Sequence, residues 1–253
     1  MKVPKGYVIY EGISQIDGQP IIGVITLASN NIKTGNMPSL WILHKTLSPL
    51  EASKTGKDTA ICGDCPMRHF KGGACYVTIF QAPLQVWKSY KKGRYPKLET
   101  FEVFEGSKMR FGAYGDPLAL PVDILVRLKA VVSNNTSYTH QWRKNNIEAV
   151  KKLSMASVDN ISEAKLAQAL GWRTFRVTKN QNDLLPNEII CPNYTSGIKC
   201  IDCNLCKGTS TKAKNIVIPV HGAKIGRFIE YTFERYNETI NRVKQNILDM
   251  ELV

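Results

Sequence analysis

The chain has 253 residues, 43% of them hydrophobic, 22% charged and 9% aromatic, which excludes a disordered or low-complexity protein and allows one substantial core. Lysine and arginine outnumber aspartate and glutamate 34 to 21, a net charge of +13 that points to a nucleic acid or nucleotide as partner. No apolar run reaches the roughly 18 residues of a membrane span, and the start MKVPKGYVIYEG lacks the apolar core of a secretory signal, so we expect no membrane partner and a cytoplasmic protein.

In chain order, YVIYEGISQIDGQPIIGVITLA reads as a β-hairpin turning at Asp17-Gly18. SLWILHK is a short buried strand, and residues 46–61 are a turn-rich connection to Cys62. YVTIF is expected to be extended, and PLQVWKSYKKG is helical, with a proline start and a glycine stop. From there strands and helices alternate. MRFGAY precedes the helix LPVDILVRLKAVVSNN, and SYTHQW precedes RKNNIEAVKKL. LSMASVD precedes NISEAKLAQALG, capped by its Asn or Ser. WRTFRVTK, NEIICP and KNIVIPVHG are further strands. AKIGRFIEYTFERYNETINRVKQNILDMEL closes the chain as one long amphipathic helix, with Ile225, Phe228, Ile229 and Phe233 on its apolar face.

Units of 20 to 30 residues that alternate strand and helix imply a parallel sheet with crossover helices. We therefore expect an α/β fold of one domain over 1–253, a (β/α) barrel or partial barrel, with a Cys-rich metal-binding insertion at 191–222. In such folds ligands bind at the carboxyl ends of the strands. The apolar pattern gives way there to Tyr114-Gly115-Asp116-Pro117, to Thr139-His140, and to Ser157-Val158-Asp159. Tyr114, Asp116, His140 and Asp159 are the candidate catalytic side chains. A helix cap explains Asp159 and a turn explains Asp116, but caps do not bring histidine and tyrosine to the same level.

The seven cysteines fall into two sets. In a reducing compartment clustered thiols hold metal more often than they form disulfides. Cys62-x2-Cys65-x9-Cys75 offers three thiolates, enough for an iron–sulfur cluster with one open iron or, with His69, for a Cys3His zinc site. Cys191-x8-Cys200-x2-Cys203-x2-Cys206 offers four and closes a site alone, as zinc or iron–sulfur, with His221 as a further candidate ligand. The stretch WKSYKKGRYPK interleaves aromatics and cations, so Trp87, Lys88, Lys91, Lys92 and Arg94 are candidate nucleic-acid contacts; an inward-packed Trp87 with solvated lysines explains the same pattern.

A three-cysteine loop ending in Cys75-Tyr76, followed after the next strand by a Gly-acid-Pro turn, resembles the radical S-adenosylmethionine enzymes. The resemblance implies a 4Fe–4S cluster on Cys62, Cys65 and Cys75. It also implies S-adenosylmethionine held by Gly115, Asp116 and Pro117. The spacing departs from the usual Cys-x3-Cys-x2-Cys, and Asp116 stands where that family has glutamate. The chain is also similar to a family of phage and plasmid proteins of uncharacterised activity, through CGDCPMR, ACYV, GRYP, GAYGDP, YTHQW, MASVD, GWRTFRV and IPVHG. A phage origin would place it in the host cytoplasm. These readings together lead us to expect a metal-dependent enzyme acting on a nucleotide or nucleic acid. The competing expectations are a zinc-stabilised barrel that modifies bases, as a transglycosylase or glycosylase does, and a non-enzymatic zinc module that binds nucleic acid.

Overall fold

The computed structural model describes residues 4–71, 73–144, 147–222 and 224–232. Among these residues the frame is a nine-stranded sheet of order β1-β2-β3-β4-β5-β6-β7-β9-β8. Its strands are β1 (Gly6–Ile13), β2 (Pro20–Thr26), β3 (Ser39–His44), β4 (Lys108–Tyr114), β5 (Asn134–Thr139), β6 (Met155–Val158), β7 (Thr174–Thr178), β8 (Glu188–Ile190) and β9 (Asn215–Pro219). The expected hairpin is β1 and β2, which pair antiparallel, as do β2 and β3. Every pairing from β3 onward is parallel. The outer edge of β1 is covered by the segment 96–98, through Val8 N–H to the Pro96 carbonyl at 3.0 Å and Leu98 N–H to the Val8 carbonyl at 2.9 Å. That pairing covers the edge of β1 at Val8.

The helices are α1 (Pro49–Lys54), α2 (Thr59–Cys62), α3 (Ala82–Lys91), α4 (Val122–Val131), α5 (Glu148–Leu153), α6 (Ile161–Ala169), α7 (Pro192–Ser196) and α8 (Cys200–Cys203). Strand side chains alternate between faces, and the two faces of the parallel sheet are covered differently. Phe111, Ala156 and Val158 meet Leu125 and Leu128 of α4, Val150 and Leu153 of α5, and Ala164 and Ala167 of α6 in the main core. On the other face Tyr138, Met155, Phe175 and Ile216 pack against Cys206. Beside them Phe175, Val177 and Ile218 pack against Met67, Ala74 and Phe228. The second face is thus covered by both cysteine segments and by residues 225–232.

Four sequence expectations change. Residues 46–61 are not merely turns, because Ser48 and Glu51 form a reciprocal capping box that starts α1 behind Pro49. YVTIF forms no strand: Cys75 N–H goes to the Met67 carbonyl at 2.8 Å and the Val77 carbonyl to His69 at 3.0 Å, so its backbone serves the cysteine loop. Strand β5 starts at Asn134 and ends at Thr139, and His140 already lies outside the ladder. Of the Cys-rich stretch 191–222, residues Asn215–Pro219 are a strand lying between β7 and β8 in the main sheet. Of the expected C-terminal helix, residues 225–232 are helical, and Phe233 and the rest lie outside the described residues. Among the described residues no helix is long and apolar enough to cross a membrane.

His44, at the end of β3, is buried, and its Nδ1 accepts from Leu47 N–H at 3.2 Å and Thr46 N–H at 3.3 Å. Its Nε2 is buried without a partner. Protonation would place a hydrogen on the accepting nitrogen, and burial, with Lys57 nearby, lowers its pKa. Burial lowers His69 and His140 as well. Below the unfolded value of about 6.5 the unfolded chain therefore binds more protons than the folded one, and stability falls as pH falls. We expect the urea midpoint to drop between about pH 7 and 5, and His44→Gln to flatten that slope whatever it does to the midpoint at neutral pH.

Candidate functional site

The three-cysteine loop sits where the parallel strands end. Asp58 starts α2, which delivers Cys62, and Gly63 follows with φ +58, a left-handed turn where an added Cβ would lie 2.4 Å from Gln141 Nε2. Arg68 closes the loop from inside. Its Nε donates to Asp58 Oδ1 at 3.0 Å, its Nη1 to the Gly63 carbonyl at 2.9 Å and its Nη2 to the Gly56 carbonyl at 2.6 Å. The thiols lie within electrostatic reach of one another. Burial raises Cys62 well above the usual thiol range, and Cys65 and Cys75 push it further. Burial and then Cys75 do the same to Cys65. Among the described residues no three or more His, Cys, Asp or Glu side chains are gathered tightly enough to hold a single metal ion.

His69 is hydrogen-bonded within the loop. Its Nε2 meets the Val77 carbonyl at 3.0 Å and its Nδ1 faces Lys224 Nζ at 3.3 Å, while the same ammonium donates to the Cys75 carbonyl at 2.7 Å. The candidate additional ligand braces the loop against residue 224.

The Gly115-Asp116-Pro117 turn lies directly against this loop, Asp116 N–H donating to the Ile61 carbonyl at 2.6 Å. Gly115 has φ +84, and an added Cβ would stand 2.8 Å from Ile42, so glycine is a steric requirement here. The buried Asp116 carboxylate accepts from Leu118 N–H at 3.0 Å, from Thr139 Oγ1 at 2.8 Å and from His140 N–H at 2.8 Å. Burial raises its pKa, and those donors pull it back. Its carboxylate ties the end of β4 to the end of β5. Tyr114 is buried between the sheet and the thiols, its phenol pushed well above its usual range by burial and then by Cys62.

Next to the loop a polar cavity of about 150 Å³ is lined by Asp64, Pro66, His140, Arg143, Ser157, Asp159 and Glu163. His140 and Asp159 were legible in the sequence, and Asp64 and Pro66 flank Cys65. The charges are partly internal pairs: Arg143 meets Glu163 at 2.9 Å and Lys144 meets Asp64 at 3.0 Å. Glu163 also accepts from Asp159 N–H at 3.0 Å, completing the cap of α6 that Asn160 begins. The Nε2 of His140 is buried and has no hydrogen-bond partner. Burial lowers the His140 pKa against the pull of Asp116, Glu163 and Asp64, which leaves a neutral imidazole able to give or take one proton near neutral pH.

The second set lies on the face opposite α4, α5 and α6. Cys191 follows β8, α7 ends at Gly197, and α8 carries Cys200 and Cys203 before a left-handed Asn204. Helix α8 docks on the loop before β3, with Cys200 N–H to the Lys33 carbonyl at 3.0 Å and Ile201 N–H to the Thr34 carbonyl at 3.1 Å. Burial pushes the Cys206 thiol up to about 12, with Cys191, Cys200 and Cys203 adding to the rise. His221 is not in this set: its Nδ1 meets the Pro219 carbonyl at 2.7 Å and its Nε2 meets Lys33 Nζ at 2.6 Å.

Sequence reasoning missed the staple of this loop. Arg173, buried at the start of β7, donates to the carbonyls of Leu205 at 2.8 Å, Gly208 at 3.0 Å, Ala213 at 3.0 Å and Lys214 at 2.5 Å. The only sequence signal was an arginine at the head of a strand. Lysine cannot span four carbonyls from one ammonium. Arg173→Lys should therefore cost about 1–3 kcal/mol in urea denaturation and expose residues 205–214 to protease, while a change of under about 0.5 kcal/mol would refute the staple.

The segment 87–97 carries half-buried rings and exposed cations. Trp87 donates its indole N–H to the His44 carbonyl at 3.1 Å and carries Lys91 over its ring at 5.6 Å. Tyr90 packs inward as well, on Glu11. Lys88, Lys91, Lys92 and Arg94 are exposed. Comparison of the chain with protein-family models, with curated proteins and with solved structures finds no match.

Proposed function

We propose that the protein is an iron–sulfur enzyme of the radical S-adenosylmethionine type, built on a partial (β/α) barrel and acting on a nucleotide or nucleic acid. One observation carries the reading: three buried thiols on a braced loop border a polar cavity at the carboxyl ends of β5 and β6, and His69 is hydrogen-bonded to the Val77 carbonyl. Three thiol donors and no fourth suit a four-iron cluster with one iron left for a substrate-side ligand. A zinc staple needs a fourth donor that His69 does not supply in this arrangement.

When bound, such a cluster supplies the single electron that reductive cleavage of S-adenosylmethionine requires. The chain's own residues do the rest. Arg68 fixes the loop, and the Gly115–Pro117 turn beside Cys62 is where the resemblance places the amino group of the cofactor. The cavity, at about 150 Å³, takes a group the size of a carboxylate or phosphate rather than a whole nucleoside. Its Arg143 guanidinium and neutral His140 can orient such a group, and His140 can accept or return a proton there. The four thiols of Cys191, Cys200, Cys203 and Cys206 form a complete donor set, for zinc or a second cluster, that covers the opposite face.

Anaerobic purification, reconstitution with iron and sulfide, and metal analysis test the reading. The expected protein is brown, absorbs near about 400 nm through thiolate–iron charge transfer and cleaves S-adenosylmethionine under reducing conditions. A colourless protein holding only zinc would overturn it.

A further inference from the structure

The stacking surface expected at Trp87 has a counterpart elsewhere. At the carboxyl ends of β7 and β9, Tyr76 and Tyr194 flank His221, with ring centroids 5.1 Å and 5.9 Å away. Tyr76 is 46% exposed and Tyr194 41% exposed, so both rings are open to solvent beside His221. The cluster is built rather than accidental. The Tyr76 hydroxyl accepts from His221 N–H at 3.2 Å, the Tyr194 hydroxyl from Gln181 Nε2 at 3.1 Å, and both nitrogens of His221 are bonded. Tyr76 directly follows Cys75 and Tyr194 lies three residues past Cys191, so the cluster joins the two cysteine segments.

Cations lie beside it. Lys33 Nζ stands 2.6 Å from His221 Nε2 and Lys224 donates to the Cys75 carbonyl beside Tyr76, while Lys179, just past β7, sends its ammonium to the Ile229 carbonyl at 3.3 Å. Among the described residues none of these three lysines forms a salt bridge. Exposed rings stack bases regardless of sequence, and lysines beside them neutralise phosphates. Carboxyl strand ends are also where ligands settle in parallel sheets.

We infer that Tyr76, Tyr194 and His221 form a stacking site for an unpaired nucleobase, with Lys33 on its phosphates, so that the substrate is single-stranded nucleic acid. This rests on the nucleic-acid part of the reading above and not on its metal. Duplex bases are already stacked and cannot use the rings, so the site discriminates between the two forms.

The test is fluorescence anisotropy with a labelled oligothymidylate of about 12 nucleotides and with a duplex of the same length. The wild-type protein should bind the single strand in preference to the duplex. Tyr76→Ala and Tyr194→Ala should each weaken it by about five- to a hundredfold, whereas Tyr194→Phe, which keeps the ring, should retain most of the affinity. Replacing both Lys88 and Lys91 with alanine should leave single-strand affinity nearly unchanged. Wild-type binding that is equal in the alanine variants, or equal for duplex, would overturn the stacking site alone. Failure of the wild-type protein to bind either probe would overturn the nucleic-acid substrate with it, and iron content would still judge the metal.

Discussion

Arg68→Ala should lower stability by about 3–5 kcal/mol, a large part of the roughly 5–15 kcal/mol that separates folded from unfolded in a typical protein. Arg68 and Asp58 have side chains only 5% and 3% exposed. Removing the guanidinium strands the Asp58 carboxylate in the interior and takes one donor each from the Gly63 and Gly56 carbonyls, of which Gly56 keeps those of Thr59. The pair spans both ends of the turn that carries Cys62 and Cys65, so the loss is also a loss of loop geometry. Replacing both partners, as Arg68→Met with Asp58→Asn, should recover part of the stability, because no charge is then left buried alone. Urea denaturation of the three proteins measures this, and a cost under about 1 kcal/mol for the single change would mean that water reaches Asp58.

The second large effect separates the two cysteine sets. Cys62→Ala should abolish cleavage of S-adenosylmethionine and remove the first cluster's share of the absorption, with a modest change in stability, since Arg68 and the backbone bonds of the loop remain. Cys203→Ala should instead unfold or loosen the sheet. Its set covers Tyr138, Met155, Phe175 and Ile216, and structural metal sites of this donor type contribute folding free energy on the order of 10 kcal/mol. Circular dichroism, iron analysis and product assays on the same anaerobic samples distinguish the two. If both changes merely unfold the protein, the first set is a second staple and the open-iron reading fails.

Much of the fold was legible because local pattern and tertiary need agreed. Several parallel strands and their helices were marked by an apolar run or by a cap or proline start, as at Pro121 before α4 and Asn160 before α6. The two cysteine sets were legible from spacing alone. Where expectation and structure part, a long-range bond intervenes. YVTIF has strand composition, but the loop that carries Cys75 claims its carbonyls. Trp87 has the look of a stacking residue, yet an acceptor 43 positions away holds it inward.

The sequence by itself determined the α/β class, the grouping of seven thiols as three and four, and the positions of Asp116, His140 and Asp159 at strand ends. These depend on spacing along the chain, which periodicity and turn chemistry read directly. Only the tertiary structure decided that the Asp116 carboxylate ties β4 to β5, that His69 bonds Val77 and Lys224 while His221 bonds Pro219 and Lys33, and that Tyr76 and Tyr194 stay exposed beside His221. Each of those outcomes is set by a partner distant in sequence, Thr139, Lys224, Lys33 or Gln181. A hydrogen bond takes its energy from distance and angle in space, and neither is written in the order of the residues.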